Sequence, residues 1–106
     1  MELKDIKSVY FVGAGGIGMS AIARYFIHRG AVVAGYDRTP STLTKQLEKE
    51  GMLIHYDENV NEIPHACKDK DSCLVVYTPA IPASHKELTW FRDNGFEVQK
   101  RAQVLG

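Results

Sequence analysis

The chain has 106 residues, which is enough for one domain with a single core. Its 13 basic and 13 acidic side chains cancel, so charge gives no reason to expect a nucleic acid or an anionic membrane as a partner. No stretch approaches the roughly 20 apolar residues that span a bilayer, and the start lacks the basic and apolar regions of a signal peptide. We therefore expect a cytoplasmic protein.

Strand and helix patterns alternate along the chain, which is typical of a parallel sheet with crossover helices. Apolar runs predict strands at 8–12, 31–36, 52–56, 73–77 and 96–101. Helices are expected at 19–29, from about 41 to 51 and from about 84 to 95, and 57–71 is irregular. We predict an α/β, Rossmann-like three-layer domain, whose five-stranded and mainly parallel sheet has the order 3-2-1-4-5.

Polar residues mark where the second and third helices begin. Thr39 or Ser41 is expected to cap the second helix, next to a proline. Ser84 and Glu87 have the spacing of a capping box and predict the start of the third helix.

A glycine-rich turn at 13–18, Gly-Ala-Gly-Gly-Ile-Gly, joins the first strand to the first helix. Glycines let the backbone approach a diphosphate, and the N–H groups and dipole of a helix N-terminus favour its negative charge. Four glycines in six residues also cost backbone entropy on folding, which argues against a turn that binds nothing. The turn therefore predicts a nucleotide site.

Two further loops are expected beside this turn. Asp37 follows the second strand, in the position of an acid that accepts hydrogen bonds from a ribose. The alternatives are a helix cap or an exposed turn acid, and Arg38 either meets an extra phosphate or is solvated. The turn from Thr78 to Pro82 follows the fourth strand at the predicted topological switch point, where α/β sheets bind ligands. Its alternative is a proline-set connection that touches no ligand.

The histidines and cysteines carry weaker information. His55 on the third strand either reaches a nucleobase or is a partly buried structural residue. The other histidines are expected on surfaces, without a role: His28, His65 and His85. Cys67 and Cys73 lack the paired short spacings of a zinc site, so free thiols are expected. We predict no metal site and no catalytic residue in these 106 residues.

The segment from Phe11 to Ser20 resembles the start of the Mur ligases of peptidoglycan synthesis. Shorter motifs of that family follow in the expected order along the whole chain: Gly35-Tyr36-Asp37, His55 ahead of Glu58-Asn59-Val60, Tyr77-Thr78-Pro79-Ala80-Ile81 and Lys100-Arg101-Ala102. The resemblance implies that residues 1–106 are the first of three domains and hold the UDP part of UDP-N-acetylmuramate. It also implies that ATP, Mg²⁺ and the amino-acid site belong to the other two domains, so that these residues alone are inactive and carry no cofactor.

The resemblance further implies contacts for individual residues. The residues implied to bind the diphosphate are those of the glycine turn and the helix start: Gly13, Gly15, Gly16, Ile17, Gly18 and Met19. The residues implied to contact the nucleoside are Asp37, His55, Thr78, Ala80 and Ile81. Arg101 is implied to contact the sugar end of the ligand. The motifs look most like the family member that adds L-alanine. The member that attaches a recycled tripeptide, an NAD-binding regulatory domain and the cofactor half of a dehydrogenase stay open as alternatives.

Overall fold

A computed structural model describes residues 2–16 and 18–101 of the chain. The strands are β1 (Ser8–Val12), β2 (Val32–Tyr36), β3 (Leu53–His55), β4 (Cys73–Tyr77) and β5 (Glu97–Lys100). The helices are α1 (Met19–His28), α2 (Thr42–Lys49) and α3 (Lys86–Asp93). The strands pair in parallel in the order β3-β2-β1-β4-β5, which confirms the predicted α/β fold and strand order.

The central strand β1 is buried on both faces, as its continuous apolar run predicts. Val9 and Phe11 pack in one core, to which α1 and α2 contribute residues such as Phe26 and Leu47. The alternate side chains of β1 pack in a second core on the other face. This second core holds Tyr10, Val12, Leu88 and Phe91, the last two from α3. The helices therefore cover both faces of the sheet, and the domain has three layers.

The strand register aligns three loops at one edge of the sheet. Val12, the last residue of β1, lies opposite Tyr36 at the end of β2 and Tyr77 at the end of β4. Tyr36 in turn lies opposite His55, the last residue of β3. The glycine turn, Asp37 and Thr78 therefore leave the sheet side by side.

The three helices begin in different ways. No side chain caps α1, which starts after Gly18. Ser41 caps α2, and its side chain and that of Thr44 form a capping box. The predicted capping box of α3 is wrong, because His85 is the cap and its Nδ1 accepts the Glu87 N–H at 3.2 Å. The Glu87 side chain points instead into the core, where it is fully buried.

Only short helices interrupt the segment expected to be irregular. Two 3-10 helices, Val60–Glu62 and His65–Lys68, lie between β3 and β4. Within residues 2–16 and 18–101, no helix has the length and apolar character needed to cross a membrane.

Candidate nucleotide-binding site

The glycine turn, the turn after β4 and the end of β5 enclose one cavity of about 410 Å³. The residues that line it are Gly15, Gly16, Thr78, Pro79, Ala80 and Arg101. All but the proline were predicted from the sequence to contact a ligand. They come from three separate parts of the chain, which the strand order β1-β4-β5 brings together.

The glycine turn is tied to the end of the neighbouring strand β2. The N–H groups of Gly13 and Ala14 both donate to the Tyr36 carbonyl oxygen, at 2.8 Å each. Gly13 and Gly18 have φ values of +97° and +79°, a left-handed conformation that only glycine adopts without strain. The turn therefore has a fixed shape that depends on these two glycines.

Gly15 and Gly16 are required for a different reason, which is close packing. A Cβ on Gly15 would overlap the Oδ2 atom of Asp37, and a Cβ on Gly16 would overlap the Cγ2 methyl of Thr78. Each glycine therefore lets a side chain from a neighbouring loop lie directly against the turn. The predicted ribose acid and the predicted nucleoside residue Thr78 are thus in contact with the predicted diphosphate loop.

The start of α1 has the properties of an anion site. No side chain caps it and its first turn has no acidic residue, whereas α2 and α3 are capped by Ser41 and His85. The Arg101 side chain lies beside it, with Nη1 3.1 Å from the position of a Cβ on Gly18. Unpaired N–H groups, a helix dipole and a guanidinium together attract a phosphate group.

The backbone N–H groups in the turn are not equally available. The Gly16 N–H donates to the Gly13 oxygen at 3.0 Å, and the Met19 N–H donates to the Gly16 oxygen at 3.1 Å. Among the described residues, the N–H groups of Gly15 and Gly18 have no acceptor. These two N–H groups can therefore donate to a bound anion. Met19 contributes its fully buried side chain to the core, and Ile17 lies outside the described residues.

Asp37 is held between the glycine turn and β3. Its N–H donates to the His55 carbonyl oxygen at 3.1 Å, and its Oδ1 accepts the Arg38 N–H at 2.9 Å. Since Ser41 is the cap of α2, Asp37 is not a helix cap, which removes one of its alternative roles. Its half-exposed carboxylate, lying against Gly15, can accept hydrogen bonds from a ribose.

Two predicted nucleoside residues differ in their surroundings. Ile81 Cγ1 lies 3.4 Å from the position that a Cβ on Gly13 would take, and the Ile81 side chain also packs on the second core. His55 does not line the cavity. Its Nε2 lies 2.7 Å from Glu87 Oε2 and 3.2 Å from the Tyr10 hydroxyl, so the structure shows a partly buried structural histidine. A contact of His55 with a nucleobase stays a prediction.

Sequence reasoning missed the buried polar cluster behind this site. The surface position expected for His85 is wrong, because His85 is 3% exposed, caps α3 and packs on Tyr36 with 4.6 Å between the ring centres. Burial lowers the pKa of His85 and keeps it neutral. One signal was available, since Tyr10 interrupts an otherwise apolar strand and a buried tyrosine hydroxyl needs a partner. That partner is Glu87.

The two cysteines lie on the α3 side of the sheet, far along the strands from the cavity. Both are buried free thiols, at the positions Cys67 and Cys73. A hydrogen bond with Cys73, together with burial, raises the pKa of the Cys67 thiol. In the part of the chain that the structure describes, no three His, Cys, Asp or Glu side chains come together as a metal site would require.

The fold and the loops at its carboxyl edge define the class: a Rossmann-like α/β domain with a cavity at the switch point between β1 and β4. The model of the Mur ligase family, catalytic domain, matches residues 8–106. The chain belongs to the Mur ligase family.

Curated relatives match the chain along its whole length. It is 59% identical over 106 residues to a UDP-N-acetylmuramate–L-alanine ligase of Phocaeicola vulgatus, and 61% identical over 106 residues to one of Parabacteroides distasonis. Each match covers all of this chain and 23% of the relative. The chain therefore spans about a quarter of the length of these relatives.

Two solved structures share the fold. A UDP-N-acetylmuramate–alanine ligase from Thermotoga maritima has a TM-score of 0.77 and 28% identity, over 90% of this chain and 21% of that one. A UDP-N-acetylmuramate:L-alanyl-gamma-D-glutamyl-meso-diaminopimelate ligase from Neisseria meningitidis has a TM-score of 0.75 and 19% identity, over 94% of this chain and 30% of that one. The second likeness concerns the fold alone.

Proposed function

We propose that this chain is the UDP-N-acetylmuramate-binding domain of a UDP-N-acetylmuramate–L-alanine ligase of peptidoglycan synthesis, acting in the cytoplasm. The observation that carries the proposal is the cavity formed by Gly15, Gly16, Thr78 and Arg101 at the uncapped start of α1. Relatives with that name that are about 60% identical along the whole chain support the choice of ligand.

The diphosphate of the ligand binds at the glycine turn. The free N–H groups of Gly15 and Gly18 donate to phosphate oxygens, and the dipole of α1 favours their charge. The Arg101 guanidinium, which lies beside Gly18, neutralises part of that charge. No acidic side chain in the first turn of α1 opposes the anion.

The nucleoside binds beside the diphosphate, at the ends of β2 and β4. Asp37 accepts hydrogen bonds from the ribose hydroxyls, because its carboxylate lies against Gly15. Thr78, Ala80 and Ile81 border the base. Pro79 and Pro82, which flank Ala80 and Ile81, keep the turn rigid.

ATP and Mg²⁺ do not fit the residues described here. Within 2–16 and 18–101 no cluster of His, Cys, Asp and Glu could hold a metal ion, and the chain has no Walker P-loop sequence. We therefore assign ATP use and amide formation to the rest of the longer protein. The 106 residues bind the substrate and are expected to turn over neither ATP nor L-alanine.

Two other functions use the same cavity. A domain of the tripeptide-attaching ligase would bind the same nucleotide sugar, and its fold is similar. An NAD-binding regulatory or dehydrogenase domain would use the same glycine turn and Asp37. Only the second of these predicts a different ligand for the domain itself.

Thermal unfolding with matched concentrations of UDP-N-acetylmuramate, UDP and NAD tests the proposal. A ligand present at 100 times its dissociation constant adds about 2.7 kcal/mol to the free energy of unfolding. We expect both UDP compounds to raise the melting temperature and NAD to leave it unchanged. Stabilisation by NAD alone would overturn the proposal.

A further inference from the structure

Glu87 is a fully buried acidic residue that the proposed binding site does not use. Its carboxylate lies at the start of α3 and is surrounded by donors from other elements. Tyr10 of β1 donates to Oε1, while His55 of β3 and the Asn59 N–H lie 2.7 and 3.0 Å from Oε2. One side chain thus joins α3 to β1, to β3 and to the segment after β3.

Such an arrangement is not explained by stability alone. Burying a carboxylate costs free energy of desolvation, which its hydrogen bonds offset only in part. Burying an apolar side chain of the same size has no such cost. What the carboxylate adds is orientation, since each of its donors must be at a defined place. The same environment acts on Tyr10, because burial and the charge of Glu87 raise the pKa of the Tyr10 hydroxyl.

The strand most dependent on Glu87 is β3. It has three residues, lies at the edge of the sheet and pairs with β2 alone. Its last residue, His55, is exposed for 13% of its side chain and is held by Glu87. The carboxylate therefore helps to fix the carboxyl end of a short edge strand.

The end of β3 reaches the binding site through the main chain. The His55 carbonyl oxygen accepts the Asp37 N–H at 3.1 Å, and the Asp37 carboxylate lies against Gly15. Displacement of β3 would therefore move the backbone of the ribose acid. The glycine turn would be less affected, because its own bonds run to the end of β2, which also pairs with the central strand β1.

We propose that Glu87 is a positioning residue for ribose recognition, which holds the end of β3 and, through the His55 main chain, the Asp37 carboxylate. This inference rests on the proposed function for its ligand. It assigns to Glu87 no contact with the ligand.

Three variants separate positioning from stability. Glu87→Leu removes the acceptor of all three donors. In Glu87→Gln the amide oxygen can still accept from His55 and Asn59. The amide NH2 group then faces the Tyr10 hydroxyl, which can rotate to accept from it. Tyr10→Phe is the matched control. It removes one hydrogen bond of the same carboxylate and the 3.2 Å contact of the hydroxyl with His55, but it leaves the links from Glu87 to His55 and Asn59. If Glu87→Leu does not fold, His55→Leu breaks the same link from the strand.

Two readouts are measured on each variant. The first is the affinity for UDP divided by the affinity for 2′,3′-dideoxy-UDP, a ratio that reports the ribose contact and not the phosphates or the base. Hydrogen bonds to a carboxylate make this ratio at least about tenfold in the unmodified chain. The second is the hydrogen-exchange rate of the Asp37 amide relative to the Val75 amide in β4, which needs no ligand.

We expect Glu87→Leu, or His55→Leu in its place, to bring the ratio near one and to speed exchange at Asp37 more than at Val75. Glu87→Gln and Tyr10→Phe should keep the ratio within about twofold of the unmodified chain. A ratio retained in the leucine variant, or lost equally in Tyr10→Phe, would overturn the inference. If the unmodified chain does not bind UDP, the proposed function fails, and unchanged relative exchange at Asp37 would still reject the positioning role separately.

Discussion

Thr78 packs so closely on Gly16 that the Thr78 Cγ2 methyl occupies the space in which a Cβ at position 16 would stand. The two residues are 62 positions apart in the chain, and they meet because β1 and β4 are neighbours in register. This contact closes the cavity between the glycine turn and the turn after β4. It also gives a direct way to change the cavity by single substitutions.

Gly16→Ala should lower the affinity for UDP by roughly tenfold or more, because the added methyl separates the two turns that form the site. Adding Thr78→Ser should restore part of this loss, since serine has no Cγ2. Isothermal titration with UDP measures both. The control is Gly30→Ala, which strains a left-handed residue at +83° in open space and should destabilise the fold without changing affinity. Equal affinities of Gly16→Ala and Gly30→Ala would contradict the role of this contact.

Arg101→Gln should weaken binding of UDP about tenfold and reduce its dependence on salt, because the guanidinium beside Gly18 is lost from the phosphate site. Arg29→Gln removes the same charge at the other end of α1, where the guanidinium lies 5.3 Å from the centre of the Tyr25 ring. Titrations at two salt concentrations compare the variants. The same affinity in both would show that Arg101 does not contact the diphosphate.

Ser41→Ala should lower the free energy of unfolding by about 1 kcal/mol, which is typical for the loss of an N-cap. The Ser41 side chain accepts the Thr44 N–H at 3.1 Å, and the Ser41 N–H donates to Thr44 Oγ1 at 2.8 Å. Urea denaturation gives the change, with Thr42→Ala at the next, exposed position as the control. A loss no larger than that of the control would argue against the capping box.

The stability of the domain should depend on His85 below neutral pH. Burial lowers its pKa in the folded chain below the ordinary value of 6.5, although Glu58 and Glu87 oppose this and His55 adds to it. The unfolded chain then binds the proton more readily, so the free energy of unfolding falls as the pH drops below about 6.5.

His85→Asn tests this dependence, because asparagine caps helices well and does not titrate. We expect its free energy of unfolding to fall less between pH 7 and pH 5 than that of the unmodified chain, when urea denaturation is compared at several pH values. Parallel pH profiles for the two proteins would contradict the role of His85.

The fold could be predicted because its signals are local. Apolar runs such as that of β1, helix stops such as Gly30 and the turn between them each depend on neighbouring residues in the chain. The position of Thr78 beside the glycine turn required only the common strand order in addition.

The polar cluster could not be predicted in this way. Ser84 and Glu87 match a capping box in spacing, yet Glu87 is bound by Tyr10 and His55, which are 77 and 32 positions away. His85 then takes the capping role that a serine would otherwise have. Competition between a local cap and distant buried donors is decided by tertiary packing, which spacing alone does not contain.

The most direct test of the proposed nucleotide site is an NMR titration of the amide-labelled chain with UDP-N-acetylmuramate. We expect the largest shifts on the amides of Gly15, Gly18, Asp37 and Thr78, and we expect that NAD in excess does not reproduce them. Largest shifts outside the carboxyl edge of the sheet, or the same shifts with NAD, would contradict it.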